Sequence, residues 1–130
     1  MTASIVTKST PVLIVDSVEP CAKFWEKLGF ARTAEVPHGD SIGFVILSDG
    51  ATELMYQSME SVIEDDASIA KVLKTGGSSL FVEVANLADA VKAAAGARVV
   101  LQERTTFYGM REVGVLDPGG NLVIFAEKVA

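Results

Sequence analysis

Leu13-Ile14-Val15, followed by Ser17, Val18, Cys21, Ala22 and Trp25, reads as a short apolar strand, a capping residue and one face of a helix. Val82-Glu83-Val84, followed by Asn86, Leu87, Ala90, Val91 and Ala94, is the same phrase again. After each cap the apolar residues return at i, i+3, i+4 and i+7, which is helical spacing. The copies match position by position: Val15 with Val84, Ser17 with Asn86, Val18 with Leu87. Self-similarity at a fixed offset predicts two matching halves. Two halves that each present a curved sheet can enclose a pocket.

Working outward, Pro11 to Val15 reads as a strand. A helix then runs from Val18 to Leu28, with Ser17 as its cap, Pro20 tolerated in the first turn and Gly29 as its stop. Strands follow over Phe30 to Val36, Ile42 to Leu47 and Thr52 to Gln57, broken by turns at Pro37-His38-Gly39-Asp40 and Ser48-Asp49-Gly50. Ser58 to Ala67 is a polar connector; Ile69, Val72 and Leu73 mark a short helix stopped by Gly76-Gly77. The second half has a strand over Ser79 to Val84 and an Asn86-capped helix from Leu87 to Ala95, closed by Gly96. Strands over Arg98 to Arg104, Arg111 to Leu116 and Asn121 to Glu127 complete it. Phe107-Tyr108-Gly109 is a loop and Asp117-Pro118-Gly119-Gly120 a turn, with proline and glycine supplying the dihedrals a turn needs. The predicted fold is α+β, two βαβββ modules in one domain over residues 1–130. The modules cover about 8–58 and 77–128, joined by connector 59–76.

Bulk properties exclude several function classes. At 49% hydrophobic the 130-residue chain is not disordered, and no apolar run reaches the roughly 18–20 residues of a membrane span. Met1-Thr2-Ala3-Ser4 lacks the basic-then-apolar pattern of a signal peptide. The single cysteine, Cys21, lies on the apolar face of the first helix and reads as a buried structural thiol; with no disulfide framework, a cytoplasmic location is expected. A net charge of −6 and a pI near 4.7 argue against nucleic acid and permit a cationic ligand.

Phe24-Trp25-Glu26-Lys27-Leu28-Gly29-Phe30 resembles the aromatic-pair-to-Leu-Gly-Phe stretch of the vicinal oxygen chelate superfamily, which includes glyoxalase I, extradiol dioxygenases and bleomycin resistance proteins. Tyr108-Gly109-Met110-Arg111-Glu112 followed by Asp117-Pro118-Gly119-Gly120-Asn121 resembles its C-terminal signature, where Asp-Pro-Asp-Gly is commoner. The likeness spans about Thr10 to Glu127. It implies the fold above, but not a reaction, because one fold hosts many functions. The family's four metal ligands would fall on Thr10, Glu53, Ser79 and Ile124. Only Glu53 is a ligating side chain, and one carboxylate does not hold a divalent ion. His38, the sole histidine, lies in a predicted turn. The expectation is therefore no metal and no cofactor.

Strand parity separates the faces. If Thr10, Glu53, Ser79 and Ile124 mark the concave side, so do Val12, Ile14, Met55, Gln57, Phe81, Leu122 and Ala126. The opposite set, Leu13, Val15, Leu80, Val82, Val84, Val123 and Phe125, is uniformly apolar and suits a core under the helices. The expected ligand-binding residues are Glu53, Met55, Phe81, Tyr108, Ser79 and Thr10. Four of them have a plainer reading: Glu53 pairs with Arg111 or Arg104, Met55 and Phe81 fill core, and Tyr108 is an exposed loop residue. Trp25 reads as core and His38 as a solvated turn residue. Glu64-Asp65-Asp66 reads as a solvated helix start, and Gly76-Gly77 as a helix stop and not a phosphate loop.

Three functions from different classes fit. The first is a metal-free protein that binds a small molecule, cationic or aromatic, as the bleomycin resistance branch sequesters drugs. The second is a lyase, isomerase or dioxygenase of the superfamily. The third is a metal-free catalyst using Glu53 or His38 as general base, with the carboxylate's pKa raised in a partly apolar pocket. The resemblance also implies a homodimer, with the modules of two chains paired as one arrangement. No nucleic-acid or membrane partner is expected.

Overall fold

The computed structural model describes residues 4–129. In the first module β1 (Val12–Val15) leads to α1 (Val18–Glu26), then to β2 (Ala31–His38), β3 (Ser41–Ser48) and β4 (Glu53–Ser58). Strands β3 and β4 alternate strictly: Val45, Leu47, Leu54 and Tyr56 are buried while Phe44, Ile46, Met55 and Gln57 are half-buried. This is the period-2 pattern of a sheet with one face on a core. Ser17 sits at the α1 N-cap in extended backbone, yet its side chain makes no capping bond, so the expected cap is positional only. Pro37 and His38 belong to β2, and the turn is confined to Gly39-Asp40, with Gly39 at φ +61°.

The connector departs from the sequence reading. Its first part is a helix, α2 (Met59–Asp65), capped by the Ser58 hydroxyl accepting from Ser61 N–H. A single turn, α3 (Ala67–Ala70), follows, capped by Asp66 accepting from Ser68 N–H. Glu64 and Asp65 therefore end one helix and Asp66 starts the next. Only Val62 of α2 is buried, so there is no apolar stripe for a periodicity argument to find. The helix expected to reach Gly76-Gly77 ends at Ala70 instead. The two glycines (φ +70° and +78°) are a crossing point, where Gly76 N–H donates to Ile14 O and Gly77 N–H to Gly120 O. A Cβ at Gly76 would lie 2.7 Å from Gly119 O.

The second module is β5 (Ser79–Glu83), α4 (Leu87–Ala93), β6 (Val99–Thr105), β7 (Met110–Leu116) and β8 (Leu122–Lys128). Here Asn86 does cap its helix, accepting from Asp89 N–H. The sheets have the same order, β1-β4-β3-β2 and β5-β8-β7-β6, with the first pair parallel and the others antiparallel in each. The repeat in the sequence is thus a repeat in topology.

The helix-side faces of both sheets share one core. Leu13, Val15, Leu47 and Leu54 from one sheet meet Val113, Val123 and Phe125 from the other, with Trp25 and Ala22 of α1 and Leu87 and Ala90 of α4 among them. A buried polar chain links the modules through this core. Trp25 Nε1–H donates to Tyr56 Oη (2.8 Å), whose hydroxyl donates to Asp117 Oδ2 (2.5 Å). Asp117 also accepts from Gly119 and Asn121 backbone N–H and from Asn121 Nδ2, and Asn121 Oδ1 accepts from Ser78 N–H. The Asp-Pro-Gly-Gly turn therefore does more than reverse the chain. A Cβ at Gly119 would collide with Val15 Cγ1 and crowd Cys21 Sγ, which gives a packing reason for glycine at this position.

Candidate functional site

The concave faces lie on the outer sides of the two sheets, away from the shared core. On the first, Met55 pairs across with Ile46 and lies beside Val12, Gln57 opposes Phe44, and Glu53 opposes Ser48. On the second, Ser79 lies beside Leu122, Phe81 beside Ile124, and Glu83 beside Ala126, which opposes Glu112. The expected parity agrees with this register. Val12 is 45% and Phe81 53% exposed, so apolar surface of both faces stands open in one chain.

Glu53 has a partner, but not an arginine. Lys8 Nζ lies 2.8 Å from its Oε1 and Thr10 Oγ1 donates to the same oxygen at 3.3 Å. The Lys8 ammonium holds the Glu53 carboxyl below the usual range. That is opposite to the raised value a general base would use. Arg104 pairs with Glu112 and Arg111 approaches Glu103 at 3.8 Å. His38 Nδ1 sits 3.4 Å from Glu64 Oε2, and neither residue is near Glu53 in a common cavity.

The family's metal chemistry does not fit these residues. Thr10 and Ser79 offer neutral hydroxyls, Ile124 offers none, and the one carboxylate is engaged by a lysine. Among the described residues no three of His, Cys, Asp and Glu cluster in a way that could hold a metal ion.

Sequence reasoning missed Glu112. It lies on the concave side of β7, opposite Ala126 and Arg104, and its side chain is only 1% exposed. Tyr108 O–H donates to its Oε2 at 2.6 Å, while Arg104 Nε and Nη2 both reach Oε1 at 3.3 Å. Donation to a carboxylate raises the Tyr108 pKa. The signal was available: Glu112 shares the parity of Met110 and Gly114, as Ile124 does with Ala126 across the ladder.

Two cavities border these faces. One, of about 480 Å³, contains Lys8, Thr10, Ser48, Thr52 and Glu53. The other, of about 520 Å³, lies at the free edge of β5, with Trp25, Phe30, Leu54, Leu80 and Phe81 as apolar walls and Asp49 and Glu83 at its rim. Thr10 and Glu53 thus sit together, Phe81 sits in the second cavity, and Met55, Ser79 and Tyr108 line neither. Within one chain the six expected residues do not converge on one pocket. Trp25 is core, 1% exposed, as the plainer reading had it. Cys21 is fully buried, and burial, helped by the Asp117 charge, pushes its thiol up to about 12.

Comparison with known proteins agrees with this architecture. The family model "Glyoxalase/Bleomycin resistance protein/Dioxygenase superfamily" matches residues 7–125. A virulence protein from Salmonella typhimurium is 25% identical, with a TM-score of 0.68 over 97% of this chain and 100% of that one. A bleomycin-binding protein complexed with bleomycin is 18% identical, with a TM-score of 0.63 over 95% and 99%. A glyoxalase/bleomycin resistance protein/dioxygenase family enzyme from Burkholderia phytofirmans is 16% identical, with a TM-score of 0.73 over 91% and 95%. No curated protein matches the chain.

Proposed function

We propose that this chain, which belongs to the glyoxalase/bleomycin resistance protein/dioxygenase superfamily, is a metal-free small-molecule-binding protein. Its ligand is a cationic or aromatic compound taken on the concave faces of the sheets. The observation that carries this reading is the state of the family's ligand positions: Glu53 is bound to Lys8 at 2.8 Å, and Thr10, Ser79 and Ile124 stand at the other three. What the concave faces offer instead is apolar and aromatic contact from Phe44, Ile46, Met55 and Phe81, with carboxylates at Glu83 and Glu112. Apolar walls with a few placed polar groups are the usual lining of a small-molecule site. The net charge of −6 favours a cation in the same direction.

We place this binding in a homodimer. Phe81, Val12 and Val36 are half-exposed on faces that line no common cavity in one chain. Apposing the first sheet of one chain to the second sheet of another covers these side chains and brings Glu53, Met55 and Phe81 to one enclosed space. The test is a calorimetric titration of bleomycin, as a cationic and aromatic probe, into protein treated with EDTA, with light scattering on the same sample. Saturable binding to a dimer supports the reading. Stoichiometric zinc, nickel, iron or manganese in protein purified without added metal overturns it and favours a lyase, isomerase or dioxygenase.

A further inference from the structure

Two carboxylates in this chain are almost completely buried, Asp117 at 3% and Glu112 at 1% exposure. Burying a carboxylate is costly unless donors surround it. Asp117 meets that demand inside the protein, with four donors between 2.5 and 3.2 Å, of which Tyr56 joins the modules and the other three close its own turn. The fold explains its presence. Glu112 is different. Its donors are two side chains that reach in from solvent: Arg104, 55% exposed and contacting one oxygen at 3.3 Å, and Tyr108, 51% exposed and contacting the other at 2.6 Å. On β8 and along β7 its neighbours are small, Ala126 opposite and Gly114 next on the same face, while Arg104 faces it from β6. An apolar residue would serve the sheet there at less cost.

We propose that Glu112 is the anchor for a protonated amine on the concave face and that Tyr108 is the gate that covers it. The proposal rests on the binding function above and assigns the group that recognises the ligand's charge. The Tyr108 hydroxyl occupies the place at Oε2 that an ammonium N–H takes when bound. Opening needs only rotation of a half-exposed side chain. The tyrosine stands at the tip of the β6–β7 turn, beside Gly109 at φ +80° and a fully exposed Phe107 stacked edge-on at 5.1 Å. The Tyr108 ring lies next to the carboxylate, where an aromatic face supports a cation. Arg104 keeps the carboxylate compensated through Oε1 while Oε2 changes partner. A diffuse anion over the sheet would select any cation. A single oxygen under a phenol selects one with an N–H to give, so a primary amine binds and a quaternary ammonium does not.

Replacing the gate tests the sign. If Tyr108 covers Glu112, Tyr108→Phe frees Oε2 and tightens benzylamine roughly three- to tenfold, the range expected for one net hydrogen bond. If Tyr108 is itself a ligand contact, the same variant weakens it. Benzylamine, benzyl alcohol and benzyltrimethylammonium are titrated into wild type, Tyr108→Phe and the double variant Tyr108→Phe/Glu112→Gln, followed by amide NMR shifts. The expected result is a gain for benzylamine alone in Tyr108→Phe, lost in the double variant. Should the double variant fail to fold, the Tyr108→Phe change and the benzylamine-to-quaternary preference decide the matter. Weaker or unchanged benzylamine binding in Tyr108→Phe overturns the gate. If the neutral alcohol binds all variants and the amine has no advantage, the anchor fails while the concave site stands. If no probe binds any variant, both fail together.

Discussion

Tyr56→Phe tests whether the two modules are held together by the buried chain Trp25–Tyr56–Asp117. The phenol hydroxyl accepts from Trp25 at 2.8 Å and donates to Asp117 at 2.5 Å, with Tyr56 and Trp25 at 0% and 1% exposure. Deleting the hydroxyl leaves the indole N–H buried with no acceptor, at about 1–3 kcal/mol, and removes a bond to a carboxylate worth about 1.5–3 kcal/mol. Asp117 keeps its two backbone donors and Asn121 Nδ2, and the variant no longer buries a hydroxyl, so the losses do not add in full. The expected net loss is about 2–4 kcal/mol. In urea at fixed protein concentration this appears as a lower midpoint with an unchanged slope, and in a thermal scan as a drop of roughly 6–15 °C. Trp25→Phe in combination should cost less than the sum of the single losses, because the indole is then no longer stranded. A loss under about 0.5 kcal/mol for Tyr56→Phe would refute the reasoning and make the junction a matter of apolar packing alone.

Cys21, whose thiol burial pushes up to about 12, contributes stability that is complete below its unfolded value near 9 and is lost as pH rises through 9 to 12. Unfolding free energy should therefore fall over that window, and Cys21→Ala should flatten the fall; an equal slope in both proteins counts against the assignment. In the native state at pH 8 the thiol should react with a disulfide reagent only as fast as the protein opens. Gly119→Ala should cost about 1–3 kcal/mol by overpacking against Val15 and Cys21, read from the same urea curves, whereas a neutral result would show that the turn can move away. Glu53→Gln should reduce affinity for an amine less than threefold, since its carboxylate is already occupied by Lys8; a tenfold loss in the titration would restore Glu53 as the charge-recognising group.

The fold was legible because the repeat is carried by core residues. Val15 and Val84, Val18 and Leu87, and Trp25 and Ala94 mark equivalent points of two modules whose sheets have one strand order. Strand parity was legible for the same reason: Leu47, Tyr56 and Val123 face the core at 0% exposure. The connector was not, because α2 buries only Val62 and is held by the Ser58 cap, so it shows no apolar period. The site was legible only in part. Thr10 and Glu53 do meet, but the lysine that pairs with Glu53, Lys8, lies outside any regular element and carries no pattern. Strand parity put Glu112 on the concave side, but its burial under Tyr108 and Arg104 has no local pattern to announce it. Tyr56 and Asp117, far apart in sequence, have no local signature of their contact.

The most direct measurement is an amide NMR titration of 15N-labelled, EDTA-treated protein with bleomycin. The result expected is saturable shifts on the concave strands, at Met55, Phe81, Glu112 and Ile124, with the core residues Leu47 and Val123 unmoved and no change on adding zinc or manganese. Shifts confined to the helix side, or none until a divalent metal is present, would contradict a metal-free binding function for this chain.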